Sequence, residues 1–254
     1  MILQGPYQLS PMEQHAAAAV PQTTMGLVES VADGDTIGVR IAGGRRLRVR
    51  LLGIDAPEIN YQGRSQGWWA HGALHVLQRL CPVGAGVVLA IDRERQDKYG
   101  RLLAYVLRGG RNLNIEMVAS GWAVPYQIAP NLSLLDTVWR AAEAAMRRGL
   151  GVYDPRRPLP LSPYEFRWAI DGRAPERFCG DAGTRRYVPP AAYRGVGVTR
   201  RVFFRTEAEA QAAGFQPAGT SALVAAGTLA AGPGLAGEPW ALPPRGEAPR
   251  IHLR

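Results

Sequence analysis

Residues 33–58 read DGDTIGVRIAGGRRLRVRLLGIDAPE, and this stretch carries most of the information about the fold. Apolar and polar residues alternate over residues 36–41 and 47–52, which predicts two half-buried β-strands. The segments ADGD and AGG contain glycine and mark the turns before and between these strands. Four carboxylates lie at the two ends of the stretch, and five arginines lie in its middle. The sequence therefore places acidic and basic side chains close together within one predicted β-structure.

The segments on either side complete a small barrel. Alternation over residues 27–31 predicts a strand before the quoted stretch, and residues 64–80 after it have apolar side chains at helical spacing. Further predicted elements are strands at 87–92 and 102–107 and helices at 112–120 and 134–148. Five strands with a helix between the third and the fourth match a five-stranded Greek-key barrel, the OB-fold. We therefore predict a mainly β domain of the α+β class over residues 26–154, with about three helices.

The composition changes beyond the predicted barrel. Residues 155–177 are rich in proline and predict a linker, and residues 178–219 predict a small C-terminal α+β module. In that module RVFF predicts a strand, and Thr206 is suited to cap the helix that follows. Residues 1–25 and 220–254 show little periodicity and are predicted to be disordered tails.

Charge and cysteine content narrow the class of protein. The 30 lysines and arginines outnumber the 21 aspartates and glutamates, which gives a net charge of +9. A basic surface attracts polyanions, although the codon usage of a GC-rich genome also explains an excess of arginine. Cys81 and Cys179 are too few and too far apart for a disulfide framework or a four-ligand zinc site. We find neither a secretory signal nor a membrane span; the sequence favours the cytoplasm but leaves the cellular location open, and we expect a monomer.

The carboxylates suggest a metal site. Asp35 opens the second predicted strand and Asp55 ends the third, so the two side chains can face each other across neighbouring strand ends. Two carboxylates and a backbone carbonyl form the oxygen-rich site that Ca²⁺ prefers. Glu58 follows Pro57, whose ring stiffens the turn that aims the carboxylate. A cation would relieve the repulsion between these acidic groups.

The arginines complete a set suited to phosphodiester hydrolysis. Arg50 lies on the strand that leads to Asp55, and Arg101 follows the charged loop RERQDKYG. Guanidinium groups bind phosphate oxygens with two parallel hydrogen bonds. A metal and two arginines would neutralise the charge that builds up on a phosphate in the transition state. A free carboxylate would orient or deprotonate the attacking water.

Three motifs in order resemble the thermonuclease (staphylococcal nuclease-like) family: ADGDT, VRLLGIDAPE and DKYGRLLAYV. The resemblance extends through NIEMVASGWAVPY to GLGVY, and so covers about residues 26–153. It implies a Ca²⁺-dependent endonuclease, a hydrolase that cuts DNA and RNA with little sequence preference and leaves 3′-phosphates.

The resemblance also implies a role for each matched position. The metal ligands fall on Asp35, Asp55 and the carbonyl of Ala56, where the family has a threonine. The general base falls on Glu58, and the two phosphate-binding arginines fall on Arg50 and Arg101. Family relatives that have lost these groups serve as interaction modules. A non-catalytic OB-fold that binds nucleic acid or protein is therefore the alternative.

Tyr99 and Lys98 lie in the matched loop and are predicted to contact the substrate. The tyrosine ring would contact a phosphate or stack on a base, since aromatic faces accept any nucleotide. The alternative for Tyr99 is a turn residue that covers the edge of the barrel.

The C-terminal module resembles a small Ada-type metal-binding domain in RRYVPP, RVFFRTEAEAQAAGF and QPAG. Alanine, glycine and serine stand where that domain has its cysteines, so the resemblance implies a degenerate module without zinc. Packing of aromatic side chains would then have to hold it together: Tyr187, Phe203, Phe204 and Phe215. The module would either dock on the barrel or add basic surface for nucleic acid, and both alternatives stay open at this stage.

Overall fold

The computed structural model describes residues 22–219, and its first part is a closed β-barrel. The strands of this part are β1 (Thr23–Val31), β2 (Thr36–Ile41), β3 (Arg46–Leu51), β4 (Ile54–Asp55), β5 (Gly86–Ala90), β6 (Leu102–Arg108) and β7 (Arg111–Asn112). Antiparallel pairing runs in the order β3-β2-β1-β5-β6, and β6 then pairs in parallel with β3. This last pairing closes the barrel, so the predicted five-stranded barrel and the α+β class are confirmed. The strand β1 begins at Thr23, inside the segment 1–25 that we predicted to be a tail.

Three helices cover the barrel: α1 (Trp68–Leu80), α2 (Leu113–Ala119) and α3 (Leu135–Arg147). We predicted that the first of these begins at Arg64, but Gly67 adopts a φ of 58° and ends the preceding loop. That left-handed conformation is outside the helical range, so the helix begins only after it. None of the helices described between residues 22 and 219 has the length and apolar character needed to cross a membrane.

A buried asparagine fastens helix α2 to the barrel. Asn114 is fully buried, and its Oδ1 accepts a hydrogen bond from the backbone N–H of Val106 (2.9 Å). Its Nδ2 donates to the carbonyl oxygens of Leu52 (2.9 Å) and Ala104 (3.2 Å). A buried amide is tolerated because its hydrogen bonds are made within the protein. These bonds hold β3 and β6 together just beyond the point where their parallel pairing closes the barrel.

The second part of the structure is a C-terminal unit that shares a sheet with the barrel domain. Two short strands of the barrel domain, β8 (Val124–Pro125) and β9 (Gln127–Ile128), lie between helices α2 and α3. The elements of the C-terminal unit itself are α4 (Pro163–Asp171), β10 (Phe178–Asp181), β11 (Arg186–Val188), β12 (Arg201–Phe204), α5 (Glu207–Ala212) and β13 (Gln216–Pro217). The sheet order is β13-β11-β10-β12-β9, and β9 belongs in sequence to the barrel domain. Its neighbour β8 pairs with β4, the strand that contains Asp55. A single segment, residues 124–128, therefore connects the strand of Asp55 to the C-terminal sheet.

The C-terminal unit docks on the barrel domain. Its predicted aromatic core is buried: Tyr187, Phe203, Phe204 and Phe215. Arg185 pairs with Asp136 of helix α3 (2.6 Å), and Arg205 pairs with Glu94 of the barrel domain (3.0 Å). Arg200 pairs with Glu143 of helix α3. These arginines face acidic partners on the barrel domain, so the docked arrangement is the one that the structure adopts.

The segment that we predicted to be a linker, residues 155–177, contains helix α4. Ser162 and Glu165 form a capping box, and Pro163 occupies the first helical position. The capping box and a proline at the first helical position are both typical of the start of a helix. We predicted a linker here because the segment is rich in proline. Tyr164 and Phe166 on this helix are buried, so hydrophobic packing fixes it against its neighbours.

A buried ion pair holds helix α4 in the C-terminal unit and should contribute to the free energy of unfolding of the protein. Glu165 accepts a hydrogen bond from Arg201 (3.1 Å), and their side chains are only 15% and 8% exposed. Replacing Glu165 by Gln leaves a buried arginine without its charged partner. We expect the free energy of unfolding at neutral pH to fall by about 3 kcal/mol, measured by urea unfolding.

The same pair predicts a pH dependence. Burial alone would raise the pKa of Glu165, but Arg201 and the Ser162 hydroxyl together lower it below the usual 4.5. A lowered pKa in the folded state means that the stabilisation is present above pH 4.5 and is lost as the pH falls. The difference in unfolding free energy between the parent protein and Glu165→Gln should therefore shrink below about pH 4.5. A constant difference down to pH 3 would show that this ion pair does not stabilise the helix.

Candidate active site

Strand pairing brings Asp35, Asp55 and Arg50 together. Thr36 pairs with Arg50 in the register of β2 and β3, so Arg50 lies beside Asp35 at the end of the barrel. Nη2 of Arg50 donates a hydrogen bond to Oδ1 of Asp55 (2.7 Å) and forms an ion pair with Oδ2 of Asp35 (3.0 Å). Its Nη1 donates to the carbonyl oxygen of Leu51 (2.6 Å), which fixes the direction of the guanidinium group. Arg50 and the two carboxylates are buried, and Asp55 is fully so.

The turn before β2 holds Asp35 against the loop that follows Asp55. Oδ2 of Asp35 accepts a hydrogen bond from the N–H of Ala56 (2.8 Å), and Oδ1 accepts one from the Thr36 hydroxyl (3.0 Å). A Cβ atom on Gly34 would lie only 2.6 Å from the Cβ atoms of Ala56 and Ala73. Only glycine lets the turn, the loop and helix α1 approach this closely. The glycine of the ADGDT motif is therefore a packing requirement of the site.

Glu58 is held from both sides of its loop. Its backbone N–H donates to Oε1 of Gln66 (3.0 Å), and its carbonyl accepts from the Ser65 hydroxyl (3.3 Å). Gln66 in turn donates to the carbonyl of Leu161, just before helix α4 (2.8 Å). The Glu58 side chain is 19% exposed, so water can reach its carboxylate.

A further arginine, which the sequence analysis missed, reaches this cluster from helix α4. Arg167 donates from Nη1 to Oδ1 of Asp55 (3.1 Å) and from Nη2 to Oδ2 of Asp55 (2.9 Å). Its Nη1 also donates to Oε1 of Glu58. The capping box predicts the helix that carries Arg167, but no local signal in the sequence indicates which residues it would contact.

Arg101 lies at the edge of the cluster. Its Nε donates to Oδ2 of Asp97 (2.7 Å), and its Nη1 donates to the Thr36 hydroxyl (3.4 Å), which in turn donates to Asp35. Lys98 and Arg101 both contact the Tyr99 ring: Nζ of Lys98 lies 5.0 Å and Cζ of Arg101 lies 5.6 Å from the ring centre. The ring is 43% exposed and available for stacking. The structure thus places these residues beside Arg101, not among the buried carboxylates.

The electrostatics of the cluster follow from burial and close charges. Burial, together with the charges of Asp35 and Glu58, raises the pKa of Asp33 to about 8. Burial would also raise the pKa of Asp35, but Arg50 and the Ala56 N–H lower it. Burial raises the pKa of Glu58, and Arg167 opposes this only in part. A raised pKa suits a carboxylate that must take up a proton.

The donor atoms of the cluster suit a hard divalent cation. The carboxylates of Asp35 and Asp55 both contact the same nitrogen of Arg50, so a single cation between them would reach oxygens of both. The carboxylates of Asp35, Asp55 and Glu58 contact the guanidinium groups of Arg50 and Arg167, and Arg101 lies at the edge of the same cluster. Within residues 22–219, no group of three or more His, Cys, Asp and Glu side chains is arranged to hold a metal.

Comparison with known proteins identifies the barrel domain. The family described as staphylococcal nuclease homologue matches residues 48–154, which include Arg50, Asp55 and Glu58. Arg167 lies outside this match. The match also ends before residues 178–219, so it gives no support to an Ada-type module there.

Three curated relatives align with parts of this chain at 31–34% sequence identity. Endonuclease YhcR of Bacillus subtilis (strain 168) is 31% identical over 212 residues, which cover 80% of this chain and 17% of YhcR. Thermonuclease of Staphylococcus intermedius is 32% identical over 128 residues, covering 50% of this chain and 75% of that protein. Endonuclease YncB of Bacillus subtilis (strain 168) is 34% identical over 111 residues, covering 43% of this chain and 52% of YncB.

The extent of the YhcR alignment also bears on the C-terminal unit. Residues 1–154 make up about 61% of the 254-residue chain, so an alignment over 80% of it must extend beyond residue 154. YhcR itself is far longer, because the chain spans only 17% of its length. The motifs, the closed barrel and the thermonuclease alignment agree, and the chain belongs to the staphylococcal nuclease homologue family.

Proposed function

We propose that the protein is a Ca²⁺-dependent nuclease that hydrolyses phosphodiester bonds of DNA, RNA or both, with little sequence specificity. The products would carry 3′-phosphates. The observation that carries the proposal is the contact of Arg50 with both Asp35 and Asp55, in a cluster that also contains Glu58. The endonuclease and thermonuclease relatives support the same reaction.

The substrate phosphate would be bound by arginine. Arg50 is buried and aimed by its bond to the Leu51 carbonyl, so it presents a fixed guanidinium group. Arg101 is half-buried beside Thr36, and its charge faces the same end of the barrel. Preorganised donors of this kind stabilise charge in a transition state because they need no reorientation during the reaction.

Glu58 is the proposed general base. Its carboxylate is partly exposed, its loop is held by Gln66, and its raised pKa favours proton uptake from water. It would orient the attacking water opposite the leaving oxygen and accept its proton. Asp35, Asp55 and the carbonyl of Ala56 would hold Ca²⁺, which when bound polarises a phosphate oxygen.

Lys98 and Tyr99 would contact the substrate beyond the scissile phosphate. Their position beside Arg101 and the exposure of the tyrosine ring support this role. Stacking on Tyr99 would not depend on the identity of the base.

A cleavage assay tests the proposal against a non-catalytic binding module. Supercoiled plasmid and single-stranded RNA are incubated with the protein in Ca²⁺, and then in excess chelator. We expect cleavage in Ca²⁺, a loss of activity in chelator, and products that a 3′-phosphatase makes extendable by a polymerase. Binding by the folded protein without cleavage, over a range of Ca²⁺ concentrations, would identify a binding module instead.

A further inference from the structure

Arg167 is bound to the two carboxylates that the proposed reaction needs most. Its guanidinium group donates to both oxygens of Asp55 (3.1 and 2.9 Å) and to Glu58. Such a fork fixes direction as well as distance, because two parallel hydrogen bonds define a plane. The arginine side chain is only 18% exposed, so water competes weakly for these contacts.

An aromatic stack positions the Arg167 side chain. Cζ of Arg167 lies 5.7 Å from the ring centre of Tyr126, between β8 and β9. Tyr126 is stacked on Tyr164 of helix α4, with ring centres 5.1 Å apart and planes at 12°. Phe203 of β12 packs against both rings, at 5.4 Å from each. The guanidinium group therefore rests on a core to which both the barrel domain and the C-terminal unit contribute.

Helix α4 and the loop of Glu58 brace each other at both ends of the helix. Before the helix begins, the Leu161 carbonyl accepts a hydrogen bond from Gln66 (2.8 Å). At its last residue, Asp171 accepts hydrogen bonds from the Tyr61 hydroxyl (2.9 Å) and from Gln62 (2.8 Å). The loop that carries Glu58 is thus attached to the same helix that delivers Arg167.

We propose that Arg167 is a positioning residue of the active site, which holds the carboxylates of Glu58 and Asp55 in one orientation. This inference rests on the proposed nuclease function and extends it to the C-terminal unit. A general base works only from a fixed position relative to the attacking water, and a displacement of about 1 Å can reduce a rate about 100-fold. Residues of the barrel domain bond directly to the backbone of Glu58, whereas its carboxylate is held by a residue of the C-terminal unit.

The test compares Arg167→Ala and Arg167→Lys with the parent in the full-length protein. We expect kcat to fall about 10–100-fold in Arg167→Ala, with a much smaller change in KM, because the substrate arginines are intact. Lysine keeps the charge but not the fork, so Arg167→Lys should recover only part of the loss. Adding methylguanidinium to Arg167→Ala should raise kcat again, an effect that is not expected if the residue only stabilises the fold.

A double-mutant cycle with Glu58→Gln shows whether Arg167 acts through Glu58. If it does, Arg167→Ala should have little further effect on kcat once Glu58 has been replaced. Arg156→Ala is the matched control, since Arg156 is highly exposed and pairs with Asp154 away from the site. It should leave kcat unchanged. Urea unfolding of each variant identifies any that do not fold, and Arg167→Lys then decides the result.

The kinetics of the parent and of the Arg167 variants separate the inference from the proposed function. An active parent whose Arg167→Ala and Arg167→Lys variants keep the parental kcat overturns the inference and leaves the proposed function standing. Equal fold losses from Arg167→Ala in the parent and in Glu58→Gln overturn the assignment of Arg167 to Glu58, because the effect would then pass through Asp55 alone. A parent that cleaves neither DNA nor RNA in Ca²⁺ overturns the proposed function and this inference with it.

Discussion

Glu58→Gln is expected to lower kcat for DNA or RNA cleavage by about 10²–10⁴. Glutamine has nearly the same shape as glutamate, but it cannot accept the proton of the attacking water. The backbone of Glu58 is held by Gln66 and Ser65, and these bonds do not involve the carboxylate. The loop should therefore keep its path, and KM should change little, as expected when an interaction specific to the transition state is lost. Initial rates over a range of substrate concentrations measure both quantities.

The control for Glu58→Gln is Glu116→Gln. Glu116 lies on helix α2 and pairs with Arg111 at the surface. The Glu116→Gln variant should therefore cleave its substrate at the parental rate. A Glu58→Gln protein that digests its substrate as fast as the parent would show that another group activates the water. A protein with a normal kcat and a raised KM would place Glu58 in substrate binding instead.

Asp55→Asn is expected to affect both stability and Ca²⁺ binding. Asp55 is fully buried and accepts hydrogen bonds from Arg50 and Arg167, so the amide would leave two buried guanidinium groups without their shared negative partner. Breaking a buried ion pair on one side costs about 3–5 kcal/mol, and we expect a loss of that size in urea unfolding. The charge lost is also that of a proposed ligand, and the Kd for Ca²⁺ should rise by about two orders of magnitude.

Isothermal titration with Ca²⁺ measures the second effect at a temperature where the variant is folded. The matched control is Asp154→Asn, which removes an aspartate from an exposed pair with Arg156. Surface ion pairs contribute little to stability, so Asp154→Asn should unfold at the same urea concentration as the parent and bind Ca²⁺ with the same affinity. If Asp55→Asn binds Ca²⁺ as the parent does, Asp55 does not belong to the metal site.

The C-terminal unit contributes to the candidate active site although it lies outside the family match. The family match ends at residue 154, yet the side chain that holds Glu58 comes from residue 167. Strand β9 pairs with β12 and the adjacent β8 pairs with the strand of Asp55, so the unit is joined to the site through the backbone as well. Arginines that looked like nucleic-acid-binding surface are used for this docking, in pairs such as Arg185 with Asp136.

Local patterns in the sequence were sufficient to predict the barrel, and the sequence motifs predict which residues form its site. Alternation of apolar residues specified the strands because the two faces of a strand differ in burial. The motifs ADGDT, VRLLGIDAPE and DKYGR contain the predicted site residues Asp35, Arg50, Asp55, Glu58 and Arg101. The register of β2 and β3 brings Asp35 beside Arg50.

Tertiary structure decided what these side chains contact. The sequence shows that residue 167 is an arginine near a helix start, but its contact with Asp55 spans 112 residues and depends on how helix α4 docks. That docking follows from the burial of Tyr164 and Phe166 and from the pairing of β9 with β12, which are interactions between distant segments. Periodicity and turn chemistry are local properties of a chain, whereas the orientation of a catalytic carboxylate depends on every group packed around it. The sequence therefore determined the barrel and the residue types at its mouth, and the packing of the C-terminal unit determined how two of its carboxylates are held.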